Sequence, residues 1–111
     1  VHGGLAQGIG QALYEEFIYD ADGNPLTGNF ADYGFPSAAE VPSFVTVHME
    51  SPSPMNDLGA KGIGESGTIG ATPAVVNAVA DALARHGNKQ LSSQLQMPLT
   101  PFRMWQLMYS A

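Results

Sequence analysis

The sequence contains no cysteine among its 111 residues. This absence excludes disulfide bonds, iron–sulfur clusters, cysteine-ligated zinc and a thiol nucleophile within the chain. It is compatible with the cytoplasm, where we expect the protein to work. Long apolar runs are missing as well: no segment approaches the ~20 residues that cross a bilayer, and none has the pattern of a signal peptide. We therefore expect neither a membrane span nor a leader.

Positive charge is also scarce. Four Lys and Arg residues stand against ten Asp and Glu, which gives a net charge of −6 at pH 7. Residues 1–60 hold eight of the acids and no Lys or Arg. Because nucleic acids and anionic membrane surfaces are bound through clustered cations, we expect neither as a partner. We interpret the acidic stretch as a solvated face rather than a binding face.

The hydrophobic content argues for a folded chain. Hydrophobic residues make up 44% of the sequence, and the length suits one domain, residues 1–111, with a modest core. Apolar periodicity predicts a first helix over residues 5–17 and a second over residues 71–85. Thr72 is a plausible N-cap for the second helix, with Pro73 at its first position. Alternatively, this helix starts near Ser66 and contains Pro73.

Shorter elements complete an α+β fold. We expect a small mixed or antiparallel sheet centred on residues 44–50, which are β-branched and aromatic with a period near two. Residues 17–19 should lead into a turn at residues 20–25. A short terminal helix is expected over residues 102–110, capped by Thr100 and Pro101. Glu16 falls on the apolar face of the first helix, so either the helix ends before it or it is a paired, buried carboxylate; we favour the first reading.

A glycine-dense loop over residues 59–70 is the most informative segment. Glu65 is the only acid between Asp57 and Asp81. Its position before a helix suits a general base if burial raises its pKa, although an ordinary first-turn acid in a glycine-rich connection is the alternative. Gln7 lies in a second glycine run, residues 3–10, where it either holds an oxo group or cofactor edge or is a surface residue.

Other chemistries are weakly supported. Gly62, Gly64 and Gly67 fit the dinucleotide fingerprint G-x-G-x-x-G, but residues 51–61 do not read as the strand that this motif requires. The three histidines are scattered without ligand spacing, and we expect no metal bound directly by this chain. A small nucleotide-binding domain that uses these glycines nevertheless stays open as a weaker hypothesis.

The two glycine runs carry a family resemblance. Residues 3–16 (Gly-Gly-Leu-Ala-Gln-Gly-Ile-Gly-Gln-Ala-Leu-Tyr-Glu-Glu) and 59–67 (Gly-Ala-Lys-Gly-Ile-Gly-Glu-Ser-Gly) resemble the C-terminal part of the large subunit of molybdenum hydroxylases, the xanthine oxidase family. Residues 33–42 and 51–54 are most similar to large subunits of the aerobic carbon-monoxide-dehydrogenase type. The resemblance covers essentially the whole chain.

The resemblance implies roles for particular residues. Glu65 should be the catalytic base, and Gln7 should approach the molybdenum–molybdopterin cofactor, expected in its cytosine dinucleotide form. Gly8 and Gly64 should permit close backbone approach to this cofactor. The remaining candidates for cofactor or loop contacts are Lys61 and Ser66.

The resemblance also implies a function and partners. The enzyme should hydroxylate a small substrate (an N-heterocycle, an aldehyde or carbon monoxide) with water as the oxygen source. The remainder of the large subunit, and flavin (FAD) and 2Fe–2S domains or subunits, should be its partners. We expect this chain alone to be inactive and to self-associate. The alternative is a non-catalytic assembly module that binds a partner subunit.

Overall fold

The fold is mostly helical. The computed structural model describes residues 1–109, so Ser110, the end of the predicted terminal helix, and Ala111 lie outside the description. Within this range, no helix is long and apolar enough to cross a bilayer. The elements, in chain order, are α1 (His2–Leu13), α2 (Ser66–Arg85), a 3₁₀ helix (Lys89–Gln94) and α3 (Pro101–Tyr109).

Helices α1 and α2 pack closely through glycine. A Cβ on Gly8 of α1 would lie 2.6 Å from Cβ of Ala71 in α2, well inside van der Waals contact. A Cβ on Gly67 of α2 would lie 2.8 Å from the carbonyl oxygen of Val1. The two helix backbones therefore approach each other at a distance that larger side chains would prevent.

The second helix begins at Ser66, as in the alternative interpretation, and not at residue 71. Its N-cap is Glu65 rather than Thr72, and Pro73 lies inside the helix. Proline has no N–H to donate to the carbonyl four residues earlier, which disfavours an interior position. The packing of the first turns of α2 on α1 opposes this penalty, because Gly67 and Ala71 both lie in the contact. The predicted end is confirmed: Gly87 has φ +83° and Asn88 N–H donates to the carbonyl of Leu83.

The first helix is shifted towards the N-terminus relative to the prediction. It ends at Leu13, and Glu16 therefore lies beyond it. The Glu16 carboxylate nevertheless forms an ion pair with Arg103 of α3, and its side chain is only 24% exposed. Both interpretations of Glu16 hold in part: the helix ends before it, and its carboxylate is paired and mostly buried.

The predicted small sheet is not found in residues 1–109. Extended pairing there is limited to one antiparallel bridge, Tyr19 with Pro25, which closes the predicted turn. Residues 44–50 form no strand. Their alternate side chains Val45, Val47 and Met49 are 95%, 84% and 93% exposed. A strand requires a hydrogen-bonded neighbour, and the described part of the chain supplies none to this segment.

The core is small for the hydrophobic content. The radius of gyration is 17.7 Å, whereas a compact domain of this length has about 13 Å. No aromatic side chain in residues 1–109 is buried. The chain therefore leaves much apolar surface without an internal partner. The buried apolar residues are Ala12, Ala71, Leu83, Leu91 and Leu99.

Candidate functional site

Glu65 lies in the turn that leads into α2. Ser66 N–H donates to the carbonyl of Ile63 at 3.2 Å, which closes this turn, and Glu65 has φ −97° and ψ 2°. This conformation is typical of the third residue of a type I turn and of many active-site residues. The Glu65 side chain is exposed, and its carboxylate accepts no hydrogen bond from residues 1–109. The described part of this chain therefore leaves the Glu65 carboxylate open to contact from outside it.

The loop before Glu65 presents free hydrogen-bond donors. Within the described range, the backbone N–H groups of residues 62–65 donate to no carbonyl or side chain. A Cβ on Gly62 or Gly64 would meet nothing within 4 Å. Packing inside this chain therefore does not explain glycine at these two positions. Open space beside successive N–H donors, followed by a helix N-terminus, suits an anionic or acceptor-rich group.

Gln7 lies beside the start of α2. The Thr68 hydroxyl lies 3.3 Å from Oε1 of Gln7 and 3.0 Å from the carbonyl oxygen of Gly4. The helix contact thus brings Gln7 next to a residue three positions after Glu65. The two glycine runs, far apart in sequence, are therefore neighbours in the fold.

Gly8 is explained by packing alone. It is buried, and an added Cβ would meet Ala71 and Thr72 of α2. Glycine at this position is required for the α1–α2 contact whether or not a cofactor is bound. A cofactor contact at Gly8 stays a prediction.

Lys61 and Ser66 line a cleft beside the loop. This cleft has a volume of about 630 Å³ and lies between the extended segment 46–52 and residues 58–66. Lys61 Nζ donates to Oγ of Ser51 at 2.9 Å, which ties the two segments together. The Ser66 hydroxyl donates to the carbonyl of Ile63 and so stabilises the turn at Glu65. In this structure both side chains therefore support the loop, and their cofactor contacts stay predictions.

A second cleft flanks Gln7 on α1. It has a volume of about 420 Å³, and Gln7, Glu15 and Phe35 are among its lining residues. The Tyr33 hydroxyl donates to Glu15 at 3.1 Å, and this hydrogen bond raises the pKa of Tyr33 above its usual range. Gln7 therefore lies between the start of α2 and a partly apolar cleft.

Sequence reasoning did not single out Thr68, and it considered Thr72 only as an N-cap. Both lie on α2 and bond through their hydroxyls to α1, Thr68 to the carbonyl of Gly4 and Thr72 to that of Gly8. The signal was present in the sequence: the threonines have the same four-residue spacing as the two glycines. Helical residues four apart lie on one face, so two such pairs on crossing helices can meet in register.

The donor set fits an oxygen-rich, anionic cofactor better than a directly bound metal ion. Residues 1–109 contain no cluster of three His, Cys, Asp or Glu side chains that could hold a metal. They do offer the N–H groups of residues 62–65, the amide of Gln7 and the ammonium of Lys61. The dinucleotide interpretation loses its structural context, because residues 51–61 contain no strand before Gly62.

Known proteins resemble this chain over nearly its whole length. Residues 1–42 match the family described as the molybdopterin cofactor-binding domain. The chain is 40% identical over 105 residues to the carbon monoxide dehydrogenase large chain of Hydrogenophaga pseudoflava, covering 95% of this chain and 13% of that one. It is 46% identical over 101 residues to the nicotine 6-hydroxylase large subunit of Paenarthrobacter nicotinovorans, covering 91% of this chain and 12% of the relative.

A solved structure matches the fold as well. The crystal structure of the Cu,Mo-CO dehydrogenase in its carbon-monoxide-reduced state superposes with a TM-score of 0.85 at 38% identity. The superposition covers 98% of this chain and 13% of that one. The chain thus spans about an eighth of the length of the proteins it matches.

Proposed function

Because this chain is homologous to the molybdopterin-binding large subunits of the xanthine oxidase and carbon monoxide dehydrogenase family, we propose that it supplies the catalytic base and part of the cofactor site of such an enzyme. The observation that carries this proposal is the α1–α2 contact. It brings Gln7 of one glycine run beside Thr68, one helical turn after Glu65 of the other run. The homologues are molybdenum-dependent oxidoreductases, and the base role of Glu65 is the part that needs a test.

Several groups of this chain would hold the cofactor. The free N–H groups of residues 62–65 would donate to its anionic oxygens, and the amide of Gln7 would donate to a further acceptor. Lys61 and Ser66 would add contacts at the same loop, and Gly64 leaves room for close approach. When bound, molybdenum–molybdopterin supplies the redox chemistry. We propose its cytosine dinucleotide form.

Glu65 would act as the general base of the reaction. Its carboxylate would accept a proton from the water-derived oxygen nucleophile as that oxygen adds to an electron-poor carbon of a small substrate. An N-heterocycle, an aldehyde or carbon monoxide would suit this reaction. Glu65 is exposed here, so the remainder of the enzyme would have to cover it and exclude bulk water from the site.

Partners are required by this proposal. The chain has no cysteine to hold a 2Fe–2S cluster, so the cluster would lie on another domain or subunit. The family resemblance implies the same for FAD. Residues 1–111 would form part of a single cofactor-binding domain, completed by the remainder of a large subunit. The exposed alternate side chains of residues 44–50 support this, since they have the pattern of a strand that lacks its neighbour.

The test is Glu65→Gln in the assembled enzyme. We expect turnover to fall by about 10²- to 10⁴-fold, while molybdenum content and subunit composition stay unchanged, because a general base contributes about this much. The matched control is Asp81→Asn, which removes another exposed acid of α2 far from the site and should leave turnover unchanged. Turnover retained by Glu65→Gln would refute the base role.

The second candidate function is a non-catalytic assembly module. It is favoured by the amount of exposed apolar surface on this small chain, which by itself calls for a partner. Elemental analysis of the natively purified complex separates the two functions. About one molybdenum per chain supports the catalytic proposal, whereas an intact complex without molybdenum would favour the assembly module.

A further inference from the structure

A pair of threonines connects the site residue Gln7 to the helix that carries Glu65. Thr68 and Thr72 lie one turn apart on α2, and each hydroxyl reaches a carbonyl and a glutamine amide of α1. Thr68 lies 3.0 Å from the carbonyl oxygen of Gly4 and 3.3 Å from Oε1 of Gln7. Thr72 lies 3.3 Å from the carbonyl oxygen of Gly8 and 3.1 Å from Oε1 of Gln11. The two sets are similar, although the Thr72 hydroxyl also lies 3.5 Å from the carbonyl oxygen of Thr68, and only Gln7 belongs to the candidate site.

The contact at Thr68 fixes the direction of the Gln7 amide. The Thr68 hydroxyl has one proton, so it serves the carbonyl oxygen of Gly4 and the amide oxygen of Gln7 together, as a shared three-centre hydrogen bond. With Oε1 turned to Thr68, the NH₂ group is the end of the Gln7 amide that is left for another acceptor, and it donates to none within the described residues. An exposed glutamine without this contact would rotate freely about its terminal torsion, which has broad and nearly two-fold preferences.

We propose that Thr68 is a positioning residue that turns the NH₂ group of Gln7 towards the molybdenum cofactor. This inference rests on the proposed function. Thr68 itself would not touch the cofactor; it would act through Gln7. Thr68 lies one turn after Glu65. The start of α2 therefore carries both the candidate base, Glu65, and the hydroxyl that would orient Gln7.

The experiment compares variants of the assembled, cofactor-loaded enzyme. Thr68→Val removes the hydroxyl at nearly constant size, Thr68→Ser restores it, and Gln7→Ala removes the oriented amide. Thr72→Val is the matched control, since it removes the equivalent contacts at Gln11. The readouts are molybdenum retained per chain after dialysis and the electron paramagnetic resonance spectrum of the partly reduced enzyme.

We expect Gln7→Ala to shift the spectrum and to weaken molybdenum retention by about 2- to 10-fold, as for the loss of one hydrogen bond. Thr68→Val should reproduce both changes in part, Thr68→Ser should reverse them, and Thr72→Val should leave the spectrum unchanged. If Thr68→Val does not assemble, Thr68→Ala replaces it in the same comparison.

The negative outcomes are distinguishable. A wild-type spectrum and retention in Thr68→Val, beside clear changes in Gln7→Ala, would overturn the positioning role and leave the proposed function intact. Equal spectral changes in Thr68→Val and Thr72→Val would also overturn it, because general loosening of the helix contact would then be the cause. No change in Gln7→Ala would remove Gln7 from the proposed site, and the positioning role of Thr68 with it.

Discussion

Gly8 lies where α1 and α2 are closest, and this gives a sharp prediction at the scale of a residue. Gly8→Ala would place a Cβ 2.6 Å from that of Ala71 and 3.1 Å from the backbone nitrogen of Thr72. We expect a loss of about 1–3 kcal/mol in the free energy of unfolding, because backbone rather than flexible side chain would have to move. Urea unfolding of the purified protein measures it.

The control for Gly8 lies on the same helix. A Cβ on Gly3 would meet nothing within 4 Å. Gly3→Ala should therefore be neutral or stabilise the protein by up to about 1 kcal/mol, since alanine loses less backbone entropy in a helix. Equal destabilisation by both variants would contradict the packing role of Gly8.

Asp20 gives a prediction on pH. Its carboxylate accepts hydrogen bonds from the side chain and backbone of Asn24 and from the backbone of Asp22, and these lower its pKa below the ordinary value of 3.8. Because the pKa of Asp20 is lower in the folded protein than in the unfolded chain, the ionised carboxylate stabilises the turn at pH values above the unfolded-state pKa. This stabilisation is lost as the pH falls through the lower, folded-state pKa. The protection factor of the Asn24 amide, which is its exchange rate relative to an unfolded chain at the same pH, should therefore fall at acid pH.

The measurement follows Asn24 exchange and the Asp20 carboxyl by NMR over an acid titration. Asp20→Asn, which cannot ionise, should remove the pH dependence of Asn24 protection at this turn. Asp22→Asn is the control, because Asp22 takes part here through its backbone N–H. The same acid response in wild type and Asp20→Asn would show that another group is responsible.

Site residues differed in how far the sequence could predict them. Glu65 and Gln7 stand out in the sequence because an isolated acid and a polar amide interrupt glycine runs. The role of Gly8 in packing could not be separated from cofactor approach, because both call for the same small residue. The contact of Thr68 with Gln7 depends on how α1 and α2 cross, and the helical spacing of residues in the sequence does not determine that crossing.

At the scale of elements, the Glu16–Arg103 ion pair joins α3 to the segment after α1. The two side chains are 24% and 41% exposed, so solvent screens the pair in part. We expect Arg103→Gln to weaken the docking of α3 by about 0.5–1 kcal/mol. Amide exchange of α3 would then be about 2- to 5-fold faster in hydrogen-exchange measurements.

A second ion pair provides the control for Arg103. Arg85 and Asp81 are paired at 2.7 Å on α2, but their side chains are 77% and 61% exposed. An exposed pair at this i, i+4 spacing contributes only about 0.3–0.5 kcal/mol. The increase in the amide exchange rate of α2 in Arg85→Gln should therefore be smaller than the increase in that of α3 in Arg103→Gln. An undisturbed α3 in Arg103→Gln would mean that apolar contacts alone hold this helix.

Local signals explain which elements were predictable. The start of α3 and the turn at residues 20–25 are determined by nearby residues: Thr100 Oγ1 accepts from Arg103 N–H, and Asp20 caps its own turn. The start of α2 was ambiguous because Thr72 and Pro73 form a good local cap, and the contact of Gly67 with distant α1 decides against it. Residues 44–50 have the composition of a strand, but hydrogen-bonded pairing is a tertiary property.

At the scale of the whole molecule, the exposed apolar groups form a pattern rather than a scatter. On α3, Phe102 stacks on Trp105 at 6.3 Å between ring centroids, and Trp105 lies 6.1 Å from Tyr109. These aromatic side chains are 64%, 54% and 71% exposed. The edge formed by Val45, Val47 and Met49 is a second such surface. These two apolar surfaces find no partner within residues 1–109, and exposed patches of this kind are typical of interaction surfaces.

The isolated chain should therefore self-associate. We expect its weight-average mass in sedimentation equilibrium to rise with concentration, because the unpaired edge at residues 44–50 can pair with the same edge of a second copy. Replacing Val45 and Val47 by Lys should reduce the association, since edge lysines oppose strand pairing. Phe30→Ser removes an exposed aromatic side chain outside this edge, and this variant should retain most of the self-association. A strictly monomeric mass of the unmodified chain at high concentration would contradict the role of the edge. If Phe30→Ser reduced the association as much as the lysine substitutions at Val45 and Val47, unspecific apolar contact would be the cause instead.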